Sequence, residues 1–393
     1  MFGSIYIGLT GLNAYSKGLQ TVSNNVSNMN TIGYKASDIS FSDVFGYGSK
    51  GGLDYSTSQN SGGHGVSVSE RSINFKQGEI RQTDRDLDLA VDGNGFLVLL
   101  DGDTTYYTRT GSFEINDEGY IVLQGTDYRL AVLDSATGRP TAINIDASRT
   151  DPPVATDRIK FADNLSSTAT SYTIPDLKVY DARGKEHVWT LSFTRQETVF
   201  DTWQLKVTDS TGKVIGTKDL KFTAGAISAD TKELLFEDAD ANLSVTFDFS
   251  NSVTSFSSGN VSSLRAADIA GHATGSIATV KINDKGEIEL TYTNEEKKQL
   301  GSVALADFRD PQALEQRSRS LFVYTGFGQR QYLVAEDSRV GTIKGGRLEA
   351  SNVDLGAQFG DLILIQRGFQ ASSQIISVTN DMIQQLFGIR GQG

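Results

Sequence analysis

The two ends of this chain constrain its fold more than any other feature, because they match each other and differ from everything between them. Residues 1–35 contain only Lys17 and Lys35 as charged side chains, and residues 355–393 contain only four. All five prolines lie between these two segments. Proline is the strongest breaker of a helix interior. Both ends are therefore free to form uninterrupted helices.

Both ends also carry a heptad repeat of apolar residues. The N-terminal rows, each spaced by seven, are Ile5, Leu12, Leu19 and Val26, and Gly8, Tyr15, Val22 and Met29. The C-terminal row is Leu355, Leu362, Phe369, Ile376 and Ile383, flanked by Phe359, Ile365, Leu386 and Phe387. This pattern is typical of helices that pack along a narrow seam. It predicts a coiled-coil-like domain in which residues 1–30 pair with residues 353–393.

The other faces of these predicted helices are polar but uncharged. A free surface helix normally carries Lys and Glu for solvation and for pairing one turn apart. Amide and hydroxyl faces suit helices that pack against many copies of themselves or line an aqueous channel. The alternative is one ordinary antiparallel helix pair beside a globular domain. The second helix has a predicted start, a capping box formed by Ser351 and Asp354.

The middle of the chain predicts β-strands joined by short turns. Leu87, Leu89 and Val91 alternate with polar or small residues, as a half-buried strand requires. A turn of the form Asn/Asp-x-x-Gly recurs at 116–119, 181–184, 209–212 and 283–286. That spacing suits a type I turn followed by glycine in the left-handed region, a common hairpin connection. We therefore expect an all-β middle region.

Shifts in composition divide the middle region. Residues 31–70 are rich in Gly and Ser and predict an extended connector. We predict an inner β domain at residues 71–150 and 286–352. An outer β domain at residues 151–285 is inserted into it, and the stretch Thr150–Pro153 marks the boundary. The expected fold class is mainly β with α-helical termini, in which two nested β domains accompany the paired helical domain.

Composition excludes several functions. The formal net charge of −12 argues against a nucleic-acid partner, since phosphate binding needs a clustered basic surface. No segment has the ~18 consecutive apolar residues that insertion across a membrane requires. The N-terminus lacks the basic start and apolar run of a cleavable secretory signal, so export would use another route. The chain has no Cys, which excludes disulfides and Cys-based metal sites.

Signatures of catalysis are weak throughout. None of the three histidines, His64, His187 and His272, has a metal-ligand residue three or four positions further along the chain. The run Asp84-x-Asp86-x-Asp88 lacks the Gly and Glu that a Ca²⁺ loop needs, so a strand is the better interpretation. No P-loop, dinucleotide fingerprint or nucleophile elbow is present. We therefore predict a protein that is not an enzyme, without catalytic residues, cofactor or metal.

Three blocks of sequence carry a resemblance to a known family. They are Ser23–Lys35, Asp88–Phe96 with Tyr107–Phe113, and Leu348–Leu355 with Gln366–Gln370. Together they resemble the flagellar rod and hook protein family over about residues 1–135 and 290–390. The positions that match its motifs are Asn24, Asn25, Asn28, Gly33, Tyr34, Ser351, Asn352, Asp354, Gln366 and Arg367.

Within that family the inserted outer domain fits hook proteins better than the shorter rod proteins. The resemblance implies export through the flagellar type III apparatus and assembly beneath a cap into a curved tube outside the cell. That tube joins rod to filament as a universal joint for motility. The implied partners are other copies of the chain, the distal rod protein, the hook cap and the hook–filament junction proteins. The alternatives are a rod protein and a secreted β-rich adhesin or glycan-binding module.

In this interpretation the apolar heptads form the polymer interface, within and between subunits. The predicted interface residues are Ile5, Leu12, Tyr15, Leu19, Val22, Val26, Leu355, Phe359, Leu362, Phe369, Ile376, Ile383 and Leu386. Contacts that do not close on themselves would give a helical polymer, with the β domains outside a stiff inner tube.

Overall fold

A computed structural model of the chain describes residues 2–44, 65–68, 72–197, 199, 201–326 and 328–390. The described residues divide into two compact units. Unit 1 contains residues 1–146, 280–289 and 299–393, and unit 2 contains residues 147–279 and 290–298. Much of the predicted connector, at 45–64 and 69–70, and His64 lie outside the described residues.

The elements up to residue 142 are one helix followed by short strands. They are α1 Phe2–Ser27, β1 Ser37–Asp38, β2 Phe41–Asp43, β3 Val66–Val68, β4 Ser72–Ile73, β5 Ile80–Gln82, β6 Asp88–Asp92, β7 Phe96–Asp101, β8 Thr104–Thr108, β9 Thr110–Ile115, β10 Ile121–Leu123, β11 Arg129–Leu133 and β12 Pro140–Ala142.

Longer strands follow, from residue 150 to residue 302. They are β13 Thr150–Asp151, β14 Arg158–Asn164, β15 Ser171–Tyr180, β16 Glu186–Arg195, β17 Thr202–Asp209, β18 Val214–Thr223, β19 Ala226–Ile227, β20 Glu233–Asp238, β21 Leu243–Asp248, β22 Val253–Thr254, β23 Arg265–Ile269, β24 Gly275–Ile282, β25 Glu287–Tyr292 and β26 Lys297–Ser302.

The last part of the chain returns to short strands and ends in the second helix. Its elements are β27 Leu305–Phe308, β28 Leu314–Gln316, β29 Phe322–Tyr324, β30 Arg330–Leu333, β31 Thr342–Gly345, β32 Arg347–Glu349 and α2 Leu355–Arg390.

The main sheet of unit 1 joins strands from both ends of the chain. Its order is β28-β29-β8-β7-β11-β10-β9-β6-β31, with β12 on β11, β27 on β7 and β30 on β27. Aromatic residues fill the core beside it, where the rings of Tyr107 and Phe308 meet edge to face at 4.8 Å. Strand β6 is buried on both faces, because Asp88 and Ala90 are as inaccessible as Leu89 and Val91. The prediction of a half-buried strand was wrong there.

In the sheet of unit 2, buried side chains alternate with more accessible ones. Its order is β15-β16-β17-β18-β19-β22-β14-β21-β20, with β23 on β14, and β14 runs parallel to β21 and β22. Every second side chain is buried from Trp189 to Phe193 in β16 and from Trp203 to Val207 in β17, and Trp189 and Trp203 are the two tryptophans of the chain. A further sheet has the order β13-β24-β25-β26. The chain passes between the two units along β24, β25 and β26.

The four predicted hairpin turns form as expected. The glycines that close them, Gly119, Gly184, Gly212 and Gly286, all have φ between 75° and 85°. In the turn at 209–212, Asp209 accepts hydrogen bonds from the backbone N–H groups of Thr211 and Lys213 at 2.9 and 2.8 Å. Side chains that bond the backbone two and four residues on define the turn locally.

The predicted fold class is confirmed. The chain is mainly β, its two long helices are terminal, and α1 packs against α2.

Candidate assembly surface

The two terminal helices pair antiparallel, through small and polar residues. Near the start of α1, Gly8 faces Ile376 and Ser372, and near its end Asn25 faces Gln358. The buried positions of α2 recur every seven residues. They are Gln358, Ile365, Ser372 and Thr379.

Glycine sets the close approach of these helices. A Cβ atom added to Gly8 would lie 2.8 Å from Cγ1 of Ile376 and 3.3 Å from the carbonyl oxygen of Ser372. One added to Gly368 would lie 2.3 Å from the ring of Tyr15. Only a residue without a side chain fits such contacts without displacing its neighbours.

The predicted interface residues occupy three environments in the chain. Val22 is buried. Eight are half-buried: Ile5, Leu12, Tyr15, Val26, Leu355, Leu362, Ile376 and Ile383. Leu19, Phe359 and Phe369 are exposed, at 39%, 53% and 43%. The side chain of Leu386 lies outside the described residues. The apolar heptads therefore lie beside the seam, which is the line of contact between the two helices. The seam itself is formed largely by glycine, Ser, Thr and amide residues.

As a result the helix pair presents large apolar side chains to its surroundings. The exposed ones on α1 are Tyr6, Ile7, Leu9 and Leu19, and those on α2 are Phe359, Ile363, Leu364, Phe369, Ile375, Val378, Met382 and Phe387. An apolar surface of this extent marks an interaction site on a soluble protein.

A buried polar junction ties the helix pair to the β-strands of unit 1. Asn25 donates to Oε1 of Gln358 at 2.9 Å and to the carbonyl oxygen of Ser37 at 2.9 Å. Its side-chain oxygen accepts from the N–H of Ser37 and from the hydroxyl of Tyr34, at 3.0 and 3.2 Å. Because every polar atom of the Asn25 side chain is bonded, its burial stabilises one arrangement of these segments.

Other motif residues continue this junction. Asn352 accepts from the N–H of Ala36 at 2.8 Å and donates to the carbonyl oxygens of Asn74 and Lys76. Asn24 donates to the hydroxyl of Tyr34, and Asn28 donates back to the carbonyl oxygen of Asn24.

Gly33 supplies the bend after α1. Its φ is 67°, its N–H donates to the carbonyl oxygen of Glu349 at 2.8 Å, and an added Cβ would lie 2.7 Å from Thr110. A side chain at this position is excluded both by the backbone conformation and by the lack of space.

A buried ion cluster lies directly behind this bend. The Lys35 ammonium is 2.6 Å from Oε1 of Glu349, and neither side chain is exposed. Oε1 also accepts from the N–H of Gly78 at 2.7 Å, and Arg109 Nε lies 3.7 Å from Oε2. Burial lowers the pKa of Lys35 and of Arg109, and the Glu349 carboxylate opposes the change in both. Such a cluster fixes one geometry, since removing either charge leaves the other uncompensated.

The predicted capping box of α2 was wrong in one member. Asp354 caps the helix by accepting from the N–H groups of Gly356 and Ala357 at 2.8 and 3.2 Å. The Ser351 hydroxyl instead accepts from Val353, ahead of the helix. The two remaining motif residues, Gln366 and Arg367, are exposed on α2.

Within the described part of the chain, no group of three metal-ligating side chains comes together. The two described histidines each lie beside one carboxylate, His187 near Asp181 and His272 near Asp151. None of the described helices is both long enough and apolar enough to span a bilayer.

The predicted motif residues Asn25, Tyr34 and Asn352 are part of this junction, but four further residues that hold it together were not predicted as site residues: Lys35, Arg109, Glu349 and Gln358. Lys35, Arg109 and Glu349 each lie in one of the three motif blocks, but these blocks are distant in sequence. Gln358 falls outside the apolar heptad. The type of residue could have identified these positions, because a charged or amide residue inside a family motif is expected to bond to one specific partner.

A β-rich chain whose paired terminal helices keep large apolar side chains outside is typical of an assembling structural protein. Comparison with known families agrees. Residues 5–35 match the flagella basal body rod protein, and residues 90–174 match the flagellar hook protein FlgE/F/G D1 domain. Residues 144–316 match the flagellar basal body protein FlaE D2 domain, and residues 344–389 match the flagellar basal body rod FlgEFG protein C-terminal region. The chain belongs to the flagellar rod and hook protein family.

Relatives along the whole length are flagellar hook proteins. The flagellar hook protein FlgE of Borreliella burgdorferi is 26% identical, covering 99% of this chain and 100% of its own. That of Escherichia coli strain K12 is 28% identical over 97% of this chain and 98% of its own. A crystal structure of Helicobacter pylori flagellar hook protein FlgE2 covers 69% of this chain and 100% of its own at 11% identity, with a TM-score of 0.48. The sequence relatives confirm the predicted resemblance.

Proposed function

We propose that this chain is a structural subunit of the extracellular bacterial flagellar hook, which polymerises through its terminal helices into a curved tube that joins rod to filament. The observation that carries the proposal is the inverted helix pair, with glycine and polar residues inside and large apolar residues outside. Burying the exposed part of a Phe or Leu side chain contributes up to about 2 kcal/mol. Repeated along two helices, that gain favours contact with further copies.

The predicted interface residues divide between contacts within one chain and surfaces that are open to neighbouring copies. Val22 and Tyr15 line the seam within one chain, whereas Leu19, Phe359 and Phe369 are available to neighbours. Ile5, Leu12 and Val26 are half-buried and lie between these two environments. One helix pair can therefore contribute to contacts within a subunit and between subunits at once.

The arrangement of domains supports the same proposal. Residues 1–30 and 353–393 form the inner layer of the tube, residues 31–70 connect, and residues 71–150 with 286–352 and 151–285 form inner and outer β domains. The β domains slide against their neighbours, so that the tube bends while it rotates as a universal joint.

The finer partners follow from this position. The chain reaches the tip through the flagellar type III export apparatus, assembles beneath the hook cap on the distal rod protein, and is followed by the hook–filament junction proteins. The tubular polymer is structural, and nothing in this role requires a catalytic residue.

Electron microscopy of the purified chain, concentrated under salting-out conditions, tests the proposal. We expect the full chain to form curved tubes and a variant lacking residues 1–30 to form none. The deletion leaves unit 2 intact, and because Trp189 and Trp203 both lie in its core, their fluorescence should not change. Tubes from the truncated chain, or monodisperse particles from the full chain, would contradict the proposal.

A matched pair of substitutions separates loss of assembly from loss of apolar surface in general. The double variant Phe359→Ser, Leu364→Ser removes two exposed side chains of α2. The control, Val154→Ser, Val214→Ser, removes two side chains of similar exposure from unit 2. We expect tubes from the control only. Equal assembly of both variants would show that the apolar face of α2 is not an interface.

A further inference from the structure

The helix pair carries very few charges, and those whose side chains the structure describes form no ion pair within the described residues. Lys17 is the single charged residue of α1, and α2 carries Asp361, Arg367, Asp381 and Arg390. Within the described residues, Lys17, Arg367 and Asp361 are exposed and form no ion pair or side-chain hydrogen bond. Exposed helices normally pair such charges one turn apart. Isolated charges on an apolar surface therefore suggest partners supplied from outside.

Lys17 and Arg367 lie at one level of the helix pair, and Asp361 lies at another. Gly18 faces Ile365 and Tyr15 faces Gly368, which places Lys17 and Arg367 at the same height. Asp361 precedes Arg367 by six residues, about 9 Å along the axis and about 120° around it. A single copy therefore cannot bring its own Arg367 to its own Asp361.

Asp361 lies at the edge of a cavity. The cavity measures about 290 Å³ and lies between α1, α2 and the segment that contains β1 and β2. A second carboxylate, that of Asp38, is exposed beside it and also forms no ion pair within the described residues. The buried Asn25 and Gln358 and the exposed Phe41 and Leu364 also line it. Two carboxylates beside exposed apolar side chains suit the charged head and long apolar stem of an arginine.

We propose that this cavity in one copy of the chain receives Arg367 of a second copy, with Lys17 of that copy beside Asp38 and Asp361. The inference rests on the proposed function, because it names the partner surface of the same polymer. The donating and receiving surfaces differ, so each copy can receive from one neighbour and donate to another. Such a heterologous contact propagates without closing, and the complementary charges set the register between neighbours.

Charge reversal tests this proposal, because each change alone places like charges in every contact. We expect Asp361→Arg and Arg367→Asp each to raise the concentration needed for tube formation by about tenfold or more. The double variant Asp361→Arg, Arg367→Asp restores an opposite pair with its sign exchanged and should assemble. An equimolar mixture of the two single variants should also assemble, because each chain complements the other. Sedimentation with negative-stain microscopy measures all four.

The matched control is Asp381→Arg, which makes the same change of charge on the same helix, away from the cavity. It should assemble within about twofold of the unaltered chain. The proposal would be overturned if a single variant assembled like the unaltered chain or if the control lost assembly. It would also be overturned if the double variant and the mixture both failed to assemble. A full chain that forms no tubes at all would instead overturn the proposed function. Because the mixture complements in trans, loss of assembly through misfolding of one variant is distinguished from loss of the contact.

Discussion

The β cores of this protein bury their large apolar side chains, whereas the terminal helix pair leaves side chains of the same types exposed. In unit 2, Trp189, Phe193 and Phe247 are fully buried. In the helix pair, Phe359, Leu364 and Phe387 are exposed while glycine, Ser and Thr fill the seam. Removal of apolar surface from water drives both. The β cores complete that removal within one chain, whereas the helix pair leaves it to other copies.

The largest expected effect is that of Lys35→Met, which tests the part of unit 1 that is stabilised by contacts within one chain. It leaves the Glu349 carboxylate buried without its main counter-ion, which costs about 3–5 kcal/mol in the free energy of unfolding of unit 1. Urea denaturation followed by circular dichroism measures this. The control is Arg81→Met, which removes an exposed pair with Glu79 and should cost less than about 1 kcal/mol. Equal effects of the two substitutions would contradict the role of the buried cluster.

A smaller effect on stability is expected when a methyl group is added between the two helices, and it tests how closely they approach. In Gly8→Ala the new methyl group meets Ile376 and the backbone of Ser372, and overpacking of this kind costs about 1–3 kcal/mol. In Gly360→Ala the methyl group meets nothing within 4 Å, so the gain in helix propensity of up to about 1 kcal/mol remains. Thermal loss of the helical signal measures both. A more stable Gly8→Ala variant would show that the helices do not approach closely.

The smallest effect concerns a single hairpin turn of unit 2. Hydrogen bonds from Thr211, with those from the backbone of Lys213, hold the pKa of Asp209 below its ordinary value of 3.8. A carboxyl group with a depressed pKa in the folded state stabilises that state above the unfolded pKa, and this contribution is lost as pH falls through the folded pKa. Stability should therefore decline below a pH of about 4.

The substitution Asp209→Asn isolates this contribution, because asparagine holds the equivalent position in the turns at 116–119 and 283–286. Urea denaturation of unit 2, followed by tryptophan fluorescence, should show a smaller loss of stability between pH ~6 and pH ~3 in the variant. If the variant and the unaltered chain lose the same stability between these two pH values, the Asp209 carboxylate does not contribute to that loss.

Local patterns predicted much of this fold. Proline-free heptads predicted the terminal helices, strand patterns with short turns predicted an all-β middle region, and the Asn/Asp-x-x-Gly turns predicted four hairpins. Each pattern depends on neighbouring residues only, so each can be identified without knowledge of the rest of the chain. The alternation in β6 misled, because a strand buried on both faces also accepts Asp88 and Ala90 inside.

The partners within the helix pair could not be predicted in the same way. An apolar heptad shows that a face will be buried, but not whether the burying surface belongs to the same chain or to another copy. Phe359 and Phe369 therefore indicated a seam, although the seam within the chain contains Gly8, Ser372 and Gly368. The junction around Lys35 depends on residues that meet only after folding. Their identity follows from three-dimensional proximity and from no local period.

The nested order of the chain has a consequence for the sequence of folding events. Lys35 and its partner Glu349 are 314 residues apart, and where β6 pairs with β31, Asp92 and Thr342 are 250 residues apart. Pairings so distant in sequence form late, because the entropy of closing the loop is lost before the contact is gained. Unit 2 is nearly continuous in sequence and can fold while these ends are still separate. The helix pair is then completed last, so a chain that breaks off before residue 349 never presents the surface on which assembly depends.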